Sequence, residues 1–475
     1  MDAPAEGAIA HALRLSAGEI AEAAGARLVS GDPSARFAGV AIDSRQVEPG
    51  TLFVALPGAK VDGHDFVPQA LARGATGILT SRGDAVAGAA VTIAADDTLA
   101  ALQAAAREWR SRLRATVVGI AGSNGKTTTK EVVASVLGVR GRTFATPGNE
   151  NSQVGAPMAI LAAPLDTQFL VLELGTSAPG ELGRLASFAR PHVAIVTAAF
   201  AEHLEFLGSI AGVIEAETEI LGHLPAGALA LVGSAEPGLV AAARRRQGIR
   251  VETVGTRAED DVRLERFRLT RAGTELVVSG ATWRVPLLGE PGAWAAAFAI
   301  AVARELGLSD DEIRRGLERA RPAAHRMRAV ADPARALFAI DDCYNSNPAS
   351  AIAAIDAASA LRAPGDRLVL VLGDMLELGA TSVDAHRDVG REAARRASDA
   401  RVVAVGAEAG VLAEAARAHG AVAEHVSDAE RAGERVRELL SDGIPTTLLV
   451  KGSRGVGLER VLAALALDPE SGASR

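Results

Sequence analysis

The sequence predicts an α/β protein of three domains: a small α/β substrate domain (residues 1–112), a central P-loop domain on a mostly parallel sheet (113–321) and a C-terminal Rossmann-like domain (322–475). Three observations predict it. The chain has 475 residues, more than one hydrophobic core fills. Short β-branched runs alternate with helical stretches, the pattern of βαβ units. Finally, "VVGIAGSNGKTTTKE" joins a strand to a helix through a glycine-rich turn.

In chain order, the first domain mixes strand-like runs ("GTLFVALPG", "ATGILTS", "AVTIAA") with small helices. The helix "TLAALQAAAREWRSRL" leads into the glycine-rich segment, and "QFLVLEL" and "PHVAIVTAA" continue the central sheet. Between about Leu229 and Pro286 the runs "ELVVSG" and "TWRVPLL" are β-type, and the helix "AWAAAFAIAVARELG" follows. Pro322, after "LERAR", marks a boundary. Beyond it, "ALFAIDDCYN", "RLVLVLGDM", "ARVVAVGAE" and "TTLLVKGSR" each precede helical sequence, which makes a second doubly wound unit.

Composition narrows the function. Hydrophobic residues at 48% and charged residues at 23% suit a folded globular chain. A formal charge of −8 argues against nucleic acid as a partner, while leaving room for acidic small molecules in a local basic pocket. The single cysteine, Cys343, permits no intramolecular disulfide and no cysteine cluster, and reads as a small core residue. The N-terminus has no basic segment ahead of an apolar core, and the longest apolar run, "AWAAAFAIAVA", is about half a membrane span. These features predict a cytoplasmic protein, for which a monomer suffices.

The segment Gly122-Ser123-Asn124-Gly125-Lys126-Thr127-Thr128 is the strongest single signal. Backbone N–H groups at such a helix start attract phosphate, and Lys126 adds a point charge. Thr127 places a hydroxyl where Mg²⁺ binds. The spacing G-x-x-x-x-G-K-[ST] is incomplete, because Ile120 stands at the first glycine. A nucleoside triphosphate is the predicted ligand. Glu173 ends an apolar strand and His203 follows another, so both are candidates to complete a metal shell.

A third acid comes from "VIEAETEIL". Ile210, Val213, Ile214, Leu221 and Leu224 follow helical spacing and predict a buried stripe, on which Glu217 also falls. Glu215 and Glu219 share another face, expected to be wet. A carboxylate on the stripe must be paired, protonated or bound to a cation.

Taken together, "GSNGKTTTKE", "TPGNENSQVGAP", "ELGTSAPGELG", "AEHLEFLGS", "DDCYNSNP", "VLGDMLELG" and "VKGSR" resemble, in order, the motifs of the Mur ligase family, and the likeness runs from about Asp43 to Arg454. Within the family they are closest to the branch that joins D-alanyl-D-alanine to UDP-MurNAc-tripeptide; the D-N-P-R motif of the diaminopimelate-adding branch is missing. The resemblance implies an ATP-dependent acid–D-amino-acid ligase of peptidoglycan precursor synthesis that works through an acyl phosphate with Mg²⁺. It implies Mg²⁺ ligation by Thr127, Glu173, His203 and Glu217, and catalytic roles for Lys126, Asn149, Glu173, His203 and Glu217. Arg326, Asp342 and Asn345 would hold ATP. Ser44, Arg45 and His64, in "DSRQVEPGTLFVALPGAKVDGHDF", would hold the uridine nucleotide. Lys451 and Arg454 would meet a substrate carboxylate or phosphate.

Three departures from the family pattern stand out. Ser152 stands where an asparagine follows "GNxN". In "GAWAAAFA", Trp294, Ala295 and Phe298 replace a histidine and two asparagines, so Trp294 is expected to stack on adenine instead. Glu217 stands where relatives carry a lysine that CO₂ converts to a carbamate, so the carboxylate is expected to be encoded and the bicarbonate requirement lost. Two other readings compete with ligation of D-alanyl-D-alanine: a ligase with another acceptor, and a silent relative that binds nucleotide or precursor. Intact Lys126, Thr127, Glu173 and His203 weigh against the silent one.

Overall fold

The structure, a computed structural model, describes residues 13–58, 61–202 and 204–467. In its centre, the strand Thr116–Ala121 buries side chains on both faces, as the middle of a parallel sheet requires. Phe169–Glu173 pairs with it on one side and Val193–Val196 on the other, both parallel. Thr143–Ala145 closes one edge; Leu229–Gly233, Arg250–Gly255 and Val262–Thr270 extend the other. Two antiparallel strands, Gly273–Val278 and Ala281–Val285, complete nine, and these are the β-type runs expected before the long helix. Because the connections leave Thr116–Ala121 in opposite directions, the carboxyl ends of the three central strands open onto a crevice.

Helices cover both faces. Thr98–Arg112 and Glu181–Ala189 lie over one, with Asp97 capping the first by accepting from the Leu99 and Ala100 N–H groups. Lys126–Leu137, Gly289–Glu305 and Asp310–Arg319 lie over the other. A separate five-stranded sheet precedes this layer, in the order Arg27–Ser30, Val91–Ala94, Gly77–Thr80, Thr51–Val54, Gly39–Ala41. A six-stranded sheet follows it, in the order Arg328–Asp332, Leu337–Asp342, Thr446–Lys451, Arg367–Gly373, Arg401–Val405, Val422–Val426. Apolar clusters fill both of its faces. Pro322 falls in the connection between Asp310–Arg319 and Arg328–Asp332.

The stretch "VIEAETEIL" folds differently from a single helix. An α-helix spans Ile210–Glu217 and a 3₁₀ turn spans Glu219–His223. Glu217 is buried at 2% exposure, as the stripe predicts, but Ile210 is exposed at 37% and leaves the stripe. Glu215 is exposed, whereas Glu219 is not a wet residue. The change to 3₁₀ geometry swings Glu219 toward the start of Glu181–Ala189, where its carboxylate accepts from Gly180 N–H at 2.7 Å and Gly183 N–H at 2.8 Å. That helix has no cap of its own at Gly180, so Glu219 supplies the missing acceptors. Glu219→Ala is expected to lower stability by about 1 kcal/mol, read by urea denaturation, with little change in nucleotide affinity.

Candidate functional site

At the end of Thr116–Ala121 the chain must turn sharply and present N–H groups, and two glycines permit it. Gly122 has φ 119°, and a Cβ there would sit 2.2 Å from Thr197 Oγ1. Gly125 has φ 84° and caps Lys126–Leu137, whose first-turn N–H groups have no partner inside the helix. The Ser123 N–H donates to the Ala198 carbonyl, and Ser123 Oγ accepts from Phe200 N–H at 2.7 Å. These bonds tie the loop to the neighbouring strand end.

Above the loop lies a cavity of about 470 Å³ between the central and C-terminal layers. Lys126, Thr127, Thr128, Asn149 and Glu173 line it from the central domain. Arg326, Asp342, Asn345 and Lys451 line it from the C-terminal domain. The structure thus brings most of the expected ATP and catalytic residues together. Asn124 also bridges the two layers: it and Asn347 exchange side-chain amide hydrogen bonds at 2.9 and 3.3 Å.

Lys126 faces acids. Glu202 lies 3.9 Å from its Nζ, with the Glu202 side chain 12% exposed. Glu217 Oε2 accepts the Gly122 N–H at 2.6 Å, which fixes that carboxylate at the first residue of the loop. Burial works against the charge on Lys126, but Glu202, Glu217 and Glu173 outweigh it and hold the lysine's pKa up. Burial pushes Glu202 up to about 8 and Glu217 up to about 7, with Lys126 pulling both back. Each of these acids has a folded pKa above its unfolded value of 4.5. The nucleotide-free protein therefore keeps their full contribution below that value and loses it as pH rises through about 7 to 8. Urea midpoints are expected to be lower at about pH 9 than at about pH 5, and Glu202→Gln should flatten the slope.

Glu173 is buried at 1% exposure. Its Oε1 accepts from Asn151 Nδ2 at 2.7 Å, whereas Oε2 has no protein partner. A buried carboxylate oxygen left open on a cavity that Thr127 also lines is what a hard divalent cation requires, so the donor set fits Mg²⁺. His203 lies outside the described residues.

Several site residues are not apparent from the motifs alone. Lys130 is fully buried and its Nζ donates to the Thr146 and Gly148 carbonyls, both at 2.7 Å, anchoring the loop that carries Asn149. Tyr344 lies between two guanidinium groups, Arg326 at 4.1 Å and Arg454 at 5.1 Å from the ring centroid. Trp294 lines the cavity near Phe298 and donates its indole N–H to Glu290 at 3.0 Å.

Other expected contacts are engaged within the protein. Lys451 is buried, with Nζ 2.7 Å from Asp342 and 2.9 Å from the Asn345 carbonyl, so it holds those two residues rather than standing free for a substrate. Asp342 also accepts the Met327 N–H at 3.0 Å. In the first domain, Ser44 is buried and donates to Gln69. His64 is buried too, with Nδ1 2.6 Å from Asp62 and Nε2 accepting from Ser81 N–H at 3.0 Å. Both pack inside their domain. Arg45 is the exposed member of that trio, paired with Asp43.

Comparison with known proteins adds to this geometry. The Mur ligase family, catalytic domain, matches residues 36–119, the Mur ligase middle domain 120–303, and the Mur ligase, glutamate ligase domain, 325–454. The chain is 35% identical over 440 residues to a UDP-N-acetylmuramoyl-tripeptide--D-alanyl-D-alanine ligase of Bacillus subtilis, covering 91% of this chain and 94% of that one. MurF from Acinetobacter baumannii superposes with a TM-score of 0.86 at 29% identity, covering 95% of this chain and 98% of the other. A MurF ligase from Thermotoga maritima, solved with ADP, has a TM-score of 0.79 at 27% identity, with 92% and 98% covered.

Proposed function

Because this chain belongs to the Mur ligase family, we propose how its cavity carries out ligation and which side chains do the work. The protein is an ATP-dependent ligase that joins D-alanyl-D-alanine to UDP-N-acetylmuramoyl-tripeptide in peptidoglycan precursor synthesis, using ATP with Mg²⁺. The observation that best supports this reading is the meeting of a phosphate loop, the buried acids Glu173 and Glu202, and Arg326 with Tyr344 on one cavity.

The reaction has two steps. The terminal carboxylate of the tripeptide attacks the γ-phosphorus of ATP, ADP leaves, and an acyl phosphate forms. The amine of D-alanyl-D-alanine then attacks the acyl carbon, and inorganic phosphate departs from the tetrahedral intermediate. Lys126 and the free N–H groups at the start of its helix stabilise charge on the transferring phosphoryl group. Thr127 and Glu173, joined by Glu217 and by His203, would hold Mg²⁺, which screens the carboxylate from the phosphates it approaches. Asn151 aims Glu173, and Lys130 fixes the loop that brings Asn149 to the cavity. Arg326 and Arg454, set by Tyr344, supply positive charge from the C-terminal side. The Asn124–Asn347 pair holds the two layers together, so the acyl phosphate forms away from bulk water. A single chain contains every residue in this scheme, in keeping with a monomer.

Trp294 takes the adenine by stacking, with Phe298 behind it. Trp294→Ala is expected to raise the KM for ATP on the order of 10-fold with a small change in kcat, since a base–aromatic stack contributes about 1–3 kcal/mol. An unchanged KM would remove Trp294 from the adenine site.

The function itself is tested by phosphate release from ATP. Release should require both UDP-MurNAc-tripeptide and D-alanyl-D-alanine. Release with a different acceptor would indicate another ligase specificity, and nucleotide binding without turnover would indicate a silent relative.

A further inference from the structure

Outside the ATP cavity, three side chains of different chemistry converge. The His325 Nδ1–H donates to Asp341 Oδ2 at 2.8 Å, and the Cys343 thiol donates to Asp341 Oδ1 at 3.1 Å. The sulfur and His325 Nδ1 are 3.6 Å apart. Among the described residues, no other three His, Cys, Asp or Glu side chains bring their ligand atoms within 4.8 Å of one another. None of the three lines the cavity above the phosphate loop. We propose that His325, Asp341 and Cys343 form a second metal site, built for a divalent transition ion and best suited to Zn²⁺.

The donor set supports that ion. Imidazole and thiolate favour zinc over magnesium or calcium, and a carboxylate completes three protein ligands with a fourth position left for water. Zinc bonds of about 2.0–2.3 Å imply tetrahedral edges of about 3.3–3.6 Å between ligand atoms. The Sγ–Nδ1 separation of 3.6 Å matches such an edge, and the Asp341 carboxylate reaches both partners, one oxygen to each. Asp341 and Cys343 are buried, at 0% and 2% exposure, while the His325 side chain is 31% exposed and gives an ion a path from solvent. Carboxylate and thiolate together cancel the charge of a dication.

Binding exchanges protons for metal. The His325 imidazole shifts its proton from Nδ1 to Nε2 and offers Nδ1, and the thiol proton leaves to solvent. Without a cation the thiol stays protonated, because burial and the charges of Asp341 and Glu459 push its pKa up.

The location gives the site its role. His325 immediately precedes Arg326, and Asp341 and Cys343 flank Asp342. His325 and Met327 have φ of 57° and 46°, a region that non-glycine residues rarely adopt, and the bonds Met327 N–H to Asp342 and Tyr344 N–H to the His325 carbonyl already tie this segment to the strand end. A bound ion would fasten that segment to the strand end carrying Asp342 and Tyr344.

Co²⁺ tests this without relying on catalysis. The full chain, stripped with chelator and saturated with MgADP, is titrated with Co²⁺ and followed by absorption. Cys343 is the only cysteine, so a thiolate-to-cobalt charge-transfer band can come only from this site. The expected result is one equivalent bound with that band, displaced by Zn²⁺, absent in Cys343→Ser, and needing at least ~10-fold more Co²⁺ in His325→Gln. A wild-type titration without the band, or an unshifted titration in His325→Gln, would overturn the assignment.

Discussion

Replacing Lys126 by methionine is expected to lower kcat on the order of 10³-fold, with a much smaller change in the KM for ATP. Methionine keeps the length and apolar stem of the side chain and removes its charge. Two losses follow. The transferring phosphoryl group loses a donor that acts most strongly when charge spreads over its equatorial oxygens. The acids facing Lys126 also lose the cation that pulls their pKa values down, so Glu202 and Glu217 hold protons more tightly. A carboxylic acid that keeps its proton is a poor partner for Mg²⁺, so the variant should also need more Mg²⁺ for half-maximal rate. Single-turnover phosphate release across a Mg²⁺ series separates the two losses. A decrease under 10-fold at saturating Mg²⁺ would place Lys126 away from the reacting phosphate.

The second large effect is at Glu217. Glu217→Gln keeps shape and removes charge, and is expected to reduce kcat on the order of 10²-fold, unchanged by added bicarbonate. The carboxylate is held at the loop start by the Gly122 N–H, a fixed position from which it would act on a bound cation. The family resemblance implies at this place a lysine that CO₂ converts to a carbamate. The wild-type chain should keep its rate in CO₂-free buffer. Glu217→Lys should be nearly inactive there and recover with bicarbonate, because a carbamate can then form. A wild-type rate that falls on CO₂ depletion, or a fully active Glu217→Gln, would refute the substitution.

Much of the architecture is legible because parallel strands announce themselves. "TVVGIA", "FLVLE" and "VAIV" are apolar on both faces, and each ends at the crevice. The phosphate loop is legible for the same reason, since strand, glycines, lysine and helix occur in one continuous stretch. Glu217 shows in the sequence as an acid on an apolar stripe. Glu202 does not, because it sits outside any helix or strand and owes its burial to packing that no periodicity records. Asn151, Lys130 and Asn347 are hidden likewise: each acts across the fold, on Glu173, on the Thr146–Gly148 carbonyls and on Asn124. Ser44 and His64 are legible in the sequence in a different way. Their motif is plain, but burial depends on Gln69, Asp62 and Ser81, and only the folded chain shows these partners. Lys451 follows the same pattern, an exposed-looking loop lysine that the structure commits to Asp342.

In the proposed reaction the cavity activates a carboxylate as an acyl phosphate before the amide bond forms. Isotope transfer tests it most directly. UDP-MurNAc-tripeptide is labelled with oxygen-18 in its reacting carboxylate and turned over with ATP and D-alanyl-D-alanine, and the released phosphate is analysed by mass spectrometry. An acyl phosphate leaves one carboxylate oxygen on phosphorus, so each phosphate should carry a single labelled oxygen. Phosphate free of label, with amide product formed at the same rate, would contradict the account.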